Sequence, residues 1–384
     1  MDVQSTTMTQ TELRTALVSG ANFAGLATAF WLKGLGYRVT IVETAAGVRR
    51  GGTPVDIKGE TVGILERMGL LDRAWAKRLP PRAFTFRGAD NETLGAIDHT
   101  APKDRTHDFE IHRDDLLDLL LDAVDGSVDI IYDRSIVRLQ EHADQMSATL
   151  NDGSRHDATL VFGCDGNRSN TRNLVFDDGD AASYFMGGYF YLKVVRETGL
   201  LPPDTSEVFS VPGRTAMLNG YDDRTDICLA FRADSEIAYD YRDRARLRRL
   251  VHEHFDGLGW KVPQMLSHVD DEEDFYFDRA TQIRMPNWSK GRAALVGDAG
   301  YCVSPIAGMG GSMAIIGAAR LADALAQHAD DHAAAFRAYE DGLRPFVEEV
   351  QTRAATEGMA VIFPASAHEL AERDRKIAAN EIAL

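Results

Sequence analysis

The chain has 384 residues, 44% hydrophobic and 26% charged, a composition that supports packed domains and leaves room for two of them. Its formal net charge of −17 works against nucleic acid and anionic membrane as partners, since both call for a basic face. The segment MDVQSTTMTQTELRT lacks the apolar stretch of a secretory leader, no run reaches the roughly 18 apolar residues of a membrane span, and Cys164, Cys228 and Cys302 follow no paired spacing, so a cytoplasmic protein without a disulfide framework or zinc site is expected.

In chain order, TALVSGANFAGLATAFWLKGLGYRVTIVE opens as a buried strand through Ala16, Leu17 and Val18. It turns into a helix marked by Leu26, Ala29, Phe30 and Leu32, which Gly34 and Gly36 stop, and closes with a strand carrying Val39, Ile41 and Val42, making a βαβ unit. Within it, GANFAG has the strand–turn–helix setting of the dinucleotide fingerprint G-x-G-x-x-G. Gly20 permits the tight turn, Gly25 lets helix and strand approach, and the helix N-terminus offers free N–H groups to a pyrophosphate. Asn22 stands where the middle glycine belongs; asparagine tolerates a left-handed backbone, but its side chain crowds a phosphate. Glu43, 18 residues beyond Gly25 at the end of the second strand, is placed to accept ribose hydroxyls, with Thr44 beside it. Phe23 and Ala24 complete the candidate loop.

Further on, RDDLLDLLLDAV (113–124) reads as an amphipathic helix, and 128–163 as short strands with NDGS at 151–154 as a hairpin turn. ATLVFGCDG is a buried strand ending in Asp165-Gly166. Residues 183–232, aromatic-rich and alternating, read as a separate antiparallel sheet followed by a helix at about 242–256. The segment ALVGDAGYCVSPIAGMGGSMAI sends an apolar strand into Gly-Asp and then opens a helix through glycines; helices are expected over about 310–327, 332–356 and 366–382. The expected architecture is an α/β, Rossmann-like nucleotide-binding domain from 1–81, 102–180 and 278–340, interrupted by a β-sheet domain from 82–101 and 181–277, with a helical segment over 341–384.

The fingerprint, the mid-chain GCDGNRSNTRN and the late GDA…P…G-x-G occur in the order and spacing of class A flavoprotein monooxygenases, the para-hydroxybenzoate hydroxylase fold, which the chain resembles over nearly its whole length. VRRGGTPVDIKG, IHRDDL, DFYFDRATQIRM and WSKGRAALVGDAGYCVSPIAGMG are similar to segments of the tetracycline-inactivating flavin monooxygenases. The resemblance implies FAD as cofactor, NAD(P)H as a transient co-substrate without a second dinucleotide domain, and O2. It implies that the cofactor carries the hard step through a C4a-hydroperoxyflavin, while the protein supplies a dry pocket and holds the acceptor carbon.

By resemblance, Asp298 meets the ribityl or pyrophosphate region of FAD, and Pro305 fixes the approach of the loop. Gly308, Gly310 and Gly311 let the flavin lie on bare backbone at a helix N-terminus, which stabilises the anionic N1–C2=O edge of the reduced ring. Asp165 and Gly166 lie near the pyrophosphate, with Arg168, Ser169 and Arg172 within reach of phosphates. Arg113 lies over the phosphates and Arg50 in a loop near the flavin. Two departures are Met309, where the family commonly has glutamine, and Ser312, where it has asparagine; Met309 is expected at the substrate face of the ring. Tyr191, Arg214, Met217 and Phe231 are the candidate substrate walls, Arg214 matching a substrate-contacting arginine of the tetracycline-inactivating group; DICLAF has no histidine where that group has a contacting one, so the broader expectation is a polycyclic or phenolic, polyketide-like small molecule. No metal, nucleic acid or membrane is expected, nor a nucleophilic triad, and the chain is expected as a monomer or weak homo-oligomer. The alternatives are a halogenase or reductase on the same fold, although the halogenase W-x-W-x-I-P segment is absent, or a non-catalytic flavin- or ligand-binding protein.

Overall fold

A computed structural model describes residues 14–98, 104–177, 182–196, 199–271, 275–329, 331–379 and 381. The chain opens with β1 (Thr15–Ser19), α1 (Phe23–Gly34), β2 (Arg38–Val42), β3 (Val55–Ile57), α2 (Glu60–Arg67), α3 (Leu71–Ala76), β4 (Phe84–Arg87) and β5 (Thr93–Ile97). There follow β6 (Phe109–Ile111), α4 (Arg113–Val124), β7 (Asp129–Ile131), β8 (Ile136–Glu141), β9 (Met146–Leu150), β10 (Arg155–Ala158), β11 (Leu160–Gly163) and α5 (Asn170–Val175). The middle holds β12 (Ser183–Val195), β13 (Thr205–Val211), β14 (Arg214–Gly220), β15 (Thr225–Arg232), α6 (Arg244–Phe255), α7 (Val262–Val269) and β16 (Tyr276–Ile283). The last part is β17 (Ser289–Lys290), β18 (Ala293–Leu295), α8 (Asp298–Tyr301), a 3-10 turn Pro305–Ala307, α9 (Gly310–Gln327), α10 (His332–Arg353), a π-helical turn Ala354–Gly358, α11 (Met359–Ile362) and α12 (Ala367–Ala378).

The strands form two main sheets. One has the order β17-β18-β11-β1-β2-β7 and is parallel apart from the edge pair β17–β18. Ala16, Leu17 and Val18 of β1 are all buried, because α1 and α9 cover one face and the β8–β9–β10 meander the other. The second sheet, β16-β12-β15-β14-β13-β4-β5, is antiparallel except for the β13–β4 pair. Alternation there sends Tyr189, Tyr191, Leu229 and Phe231 toward α6 and α7, and Phe190, Cys228 and Ala230 toward the π-turn and α11. A short ribbon, β3 paired with β6, bridges the two bodies.

The fingerprint helix, the 113–124 helix and the 151–154 turn fall where the sequence places them. Three boundaries differ. β16 stays paired in the second sheet through Ile283, so the strand runs across position 278. The helix α10 runs unbroken past position 340, its Pro345 notwithstanding. Beyond Arg353 it widens into the π-turn and continues to Ile362, where one helix to 356 is expected.

Candidate active site

The three sequence motifs meet at the ends of β1, β11 and β18, the carboxyl edge where such a sheet binds ligands. A Cβ on Gly20 would lie 2.6 Å from the Cys164 carbonyl oxygen, a Cβ on Gly25 1.8 Å from the Gly20 carbonyl oxygen, and one on Gly297 3.1 Å from Ala24 Cβ. Only glycine allows these backbones to come so close. Arg172, 3% exposed, fastens the second motif to the third by donating to the carbonyls of Ala299 (2.9 Å) and Asn167 (2.8 Å).

Asn22 behaves differently from the expectation. Its backbone is extended (φ −125°) rather than left-handed, and its side chain folds back on the loop. Oδ1 accepts from the amides of Ala24 (3.0 Å) and Gly25 (3.3 Å), and Nδ2 donates to Cys164 O at 2.6 Å. The asparagine thus caps α1 and ties it to the Cys164 turn. Phe23 stays buried, 3.5 Å from where a Cβ on Gly311 would stand.

Glu43, 8% exposed, is engaged by the loops around it. Oε2 accepts from the Ala21 amide at 2.8 Å, and Oε1 from the Ala45 amide at 2.9 Å and the exposed Thr44 hydroxyl at 3.2 Å. Asp165 is likewise occupied, accepting from the Ser169 hydroxyl (2.5 Å) and from the amide and hydroxyl of Thr171 (2.9 Å each), while Gly166 (φ 82°) has open space where a Cβ would stand. Arg168 and Arg172 do not project as free phosphate ligands. Arg168 pairs with Asp278 at 2.7 Å, and Arg172 is buried as described; Ser169 caps α5.

Arg113 donates to the carbonyls of Arg49 (3.0 Å) and Gly51 (3.2 Å), with its guanidinium carbon 5.4 Å from the Phe23 ring. It therefore stands between the α1 N-terminus and the 49–52 loop. Arg50 in that loop turns outward to Asp118 (2.6 Å), an exposed pair.

At the third motif, Asp298 opens α8, and burial pushes its carboxyl up to about 6. Ser304 (φ 79°) and Gly308 (φ 62°) turn the chain through left-handed conformations around exposed Pro305. The 18-residue helix α9 then begins at Gly310 with no side chain capping its first amides. A Cβ on Gly310 would meet nothing. This bare, uncapped start is the shape of a cradle for a flat polar group with partial negative charge. Ser312 is fully buried and stitches the ribbon to this start, donating to Asp56 O (2.8 Å) and accepting from Lys58 N (3.1 Å). Met309 is 6% exposed and packs into the core, with Arg353 Nη2 3.7 Å from its sulfur, so it faces α10 rather than standing free over the cradle.

Among the four candidate substrate walls, the sheet's alternation separates Met217 from the others. Tyr191 and Phe231 sit in the cluster beneath α6 and α7, Phe231 stacking on His254 at 3.7 Å, and Arg214 donates to His254 O at 3.0 Å. All three belong to the face turned away from the glycine loop. Met217 lies on the face that meets Ile306, Ala307, Met359 and Phe363, together with Leu192, Phe190, Cys228 and Ala230. The correction is one of parity: in a strand, a slip of one residue selects the opposite face.

The sequence reading also missed a polar group between ribbon and sheet. Arg82, 4% exposed, donates through Nη2 to Glu110 Oε2 (2.5 Å) and the Tyr221 hydroxyl (2.9 Å). Arg224 contacts His112 Nδ1, directly before Arg113. Asp226 is fully buried, and among the described residues neither carboxylate oxygen has a hydrogen-bond partner, Arg224 Nε standing 3.8 Å away. Burial raises both Glu110 and Asp226 to about 7. The only sequence cue is polar residues inside otherwise apolar strands, FEI and TDICLAF.

Residues 14–354 match the FAD binding domain family. A Mycobacterium tuberculosis (strain ATCC 25618 / H37Rv) protein, Rv1260, is 37% identical over 350 residues, covering 88% of this chain and 92% of that one. A flavin-dependent monooxygenase from an unknown prokaryotic organism is 33% identical over 363 residues, covering 93% of each. Among solved structures, tetracycline destructase Tet(55) superposes with a TM-score of 0.83 at 30% identity, covering 96% of this chain and 95% of that one. With the three motifs gathered on one edge of the parallel sheet and a family match spanning most of its length, the chain belongs to the FAD binding domain family and, within it, to the flavin-dependent monooxygenases.

Proposed function

We propose that this monooxygenase uses NAD(P)H and O2 to oxygenate a polycyclic or phenolic, polyketide-like small molecule held between the α9 N-terminus and the second sheet. The observation that carries the reading is the uncapped glycine start of α9, led into by a turn whose Ile306 and Ala307 pack against the sheet face carrying Phe190, Leu192, Met217, Cys228 and Ala230. The cradle fits FAD: Gly310 leaves the backbone open, and the three motifs supply the rest. The α1 N-terminus would hold the pyrophosphate with Arg113 beside it, Glu43 has lone pairs left for a ribose hydroxyl, and Asp298 would meet the ribityl chain. FAD, when bound, supplies activation of O2 after reduction by NAD(P)H.

The chain's own residues do the remainder. The first amides of α9 stabilise negative charge at the cradle. The apolar face with Ile306 and Met359 excludes water, and the chamber fixes the substrate's orientation. The similar destructases make a phenolic, enolic polycycle the leading substrate class.

The test is direct. Purified protein should show flavin absorbance at about 450 nm and oxidise NADPH faster when a phenolic polycycle is added, with a product heavier by about 16 Da. A protein that takes up no FAD refutes the reading.

A further inference from the structure

Resting on that function, a second inference concerns how the substrate is made reactive. We propose that Glu110 is the proton-accepting residue of the substrate chamber, taking the hydroxyl hydrogen of a phenol or an enolised β-dicarbonyl.

Asp56 and Glu110 pair directly across β3 and β6 and so share a face, while Ile57, Phe109 and Ile111 of the opposite face are buried in the core of the FAD-binding body. Ser312 fixes this ribbon to the start of α9, and Asp56 Oδ2 comes within 3.4 Å of a Cβ built on Gly308. Glu110 therefore stands one strand spacing, about 5 Å, farther from the glycine cradle, on the side of the second sheet.

Its carboxylate is held asymmetrically. Oε2 is gripped by Arg82, whose side chain is 3% exposed and lies 4.5 Å over the Tyr221 ring. Oε1 has no partner among the described residues, and the side chain remains 29% exposed. A carboxylate anchored through one oxygen and open at the other is a positioned acceptor.

The surrounding groups set when it is ready. Burial raises Glu110 to about 7; Arg82 and Lys58 oppose the shift, and Asp56 and Asp226 add to it. Tyr221, Arg224 and His112 complete the polar surroundings. Protonated below about 7, the group cannot accept; ionised above, it can. In the step itself the substrate O–H bond breaks, its electron pair stays on the substrate oxygen, and the proton forms an O–H bond at Oε1. The resulting phenolate or enolate carries the electron-rich carbon that an electrophilic oxygen donor needs. The proton leaves to solvent, which reaches the Glu110 side chain, 29% exposed.

The experiment uses FAD-loaded enzyme and two probes, tetracycline and alizarin, the latter a hydroxyanthraquinone whose absorption moves to the red on ionisation. Bound alizarin should be ionised by wild type above a midpoint of about 7 and stay neutral in Glu110→Gln. NADPH oxidation coupled to either probe should fall about 10²- to 10⁴-fold in that variant, with loss of the rising pH limb. Glu110→Asp, which keeps the carboxylate but withdraws it, should recover part of both signals, and it serves if Glu110→Gln does not fold. An ionised fraction and pH limb equal to wild type in either variant overturns the proposal and leaves Glu110 as an ion pair fastening the ribbon. Failure of both probes to bind an FAD-loaded enzyme that still oxidises NADPH also overturns it, while leaving the flavoenzyme intact. A chain that takes up no FAD sinks both readings together.

Discussion

Replacing Asn22 by alanine separates two roles that one side chain can play at a nucleotide loop. The structure gives Asn22 three hydrogen bonds, two received from the amides of Ala24 and Gly25 and one donated to Cys164 O. Loss of the N-cap costs about 1 kcal/mol. Loss of the bond to Cys164, which leaves its carbonyl short of a donor, costs about 1 kcal/mol more. Asn22→Ala should therefore destabilise the FAD-free protein by about 2 kcal/mol, read as a lower urea midpoint at unchanged slope. Asn22→Gly should be milder, since glycine is a fair cap, while still losing the Cys164 bond. FAD affinity, read by flavin fluorescence quenching, should fall by less than tenfold in both, because on the proposed reading the pyrophosphate is held by backbone amides, which both variants keep. An alanine variant as stable as wild type without FAD, yet unable to retain it, would refute the capping argument and assign the side chain to the cofactor.

Four further outcomes follow from the same geometry. Gly25→Ala forces a Cβ to within 1.8 Å of the Gly20 carbonyl and should cost about 3 kcal/mol or more, whereas Gly34→Ala in the same helix meets nothing and should gain about 0.5–1 kcal/mol; equal melting temperatures for the two would contradict the packing. Asp298→Ala should yield a colourless or weakly yellow protein, checked by the ratio of visible to ultraviolet absorbance, and full flavin occupancy would contradict its placement. Burial raises the Asp226 carboxyl from 3.8 to about 7, so the stability it contributes is fully present below about 4 and is lost as pH rises from there through about 7; Asp226→Asn should gain most over wild type at pH about 8 and little below about 4, and a gain independent of pH would be the wrong result. Tyr191→Phe removes a buried hydroxyl that has no partner and should leave stability unchanged or slightly raised, with turnover unaffected; a large loss of turnover would place Tyr191 in the chamber after all.

Much of this was legible in the residues. GANFAG, GCDG and GDA…P…G-x-G are short, local and tied to backbone geometry, so Gly20, Gly25 and Gly308 announce themselves without tertiary information. The α4 and α9 helices begin where the sequence places them, because Arg113-Asp-Asp and Gly310-Gly mark sharp starts. The chamber wall was harder. Tyr191 and Leu192 are neighbours of similar apolar character in a strand buried on both faces, and nothing local says which one faces the cradle. The group Arg82, Glu110, Tyr221 and Asp226 comes from three separate segments, the loop before β4, strand β6 and the β14–β15 hairpin, and only the folded topology brings it together. Glu43 and Asp165 were recognised by position, yet their extensive local hydrogen bonding depends on loops whose course no motif specifies.

One stretch, 354–363, belongs to neither sheet yet touches what matters on both sides. Gly358 presses on Ile306, where a Cβ would come within 2.4 Å. Phe363 fills the hollow under Gly188, at 2.7 Å from a Cβ there, and the Ile362 carbonyl accepts from the Thr215 hydroxyl. These ten residues form a keel between the second sheet and the turn before α9, apart in sequence from the glycine motifs. Exchanging this stretch is expected to alter both the sheet face around Gly188 and, through Ile306, the turn that leads into α9.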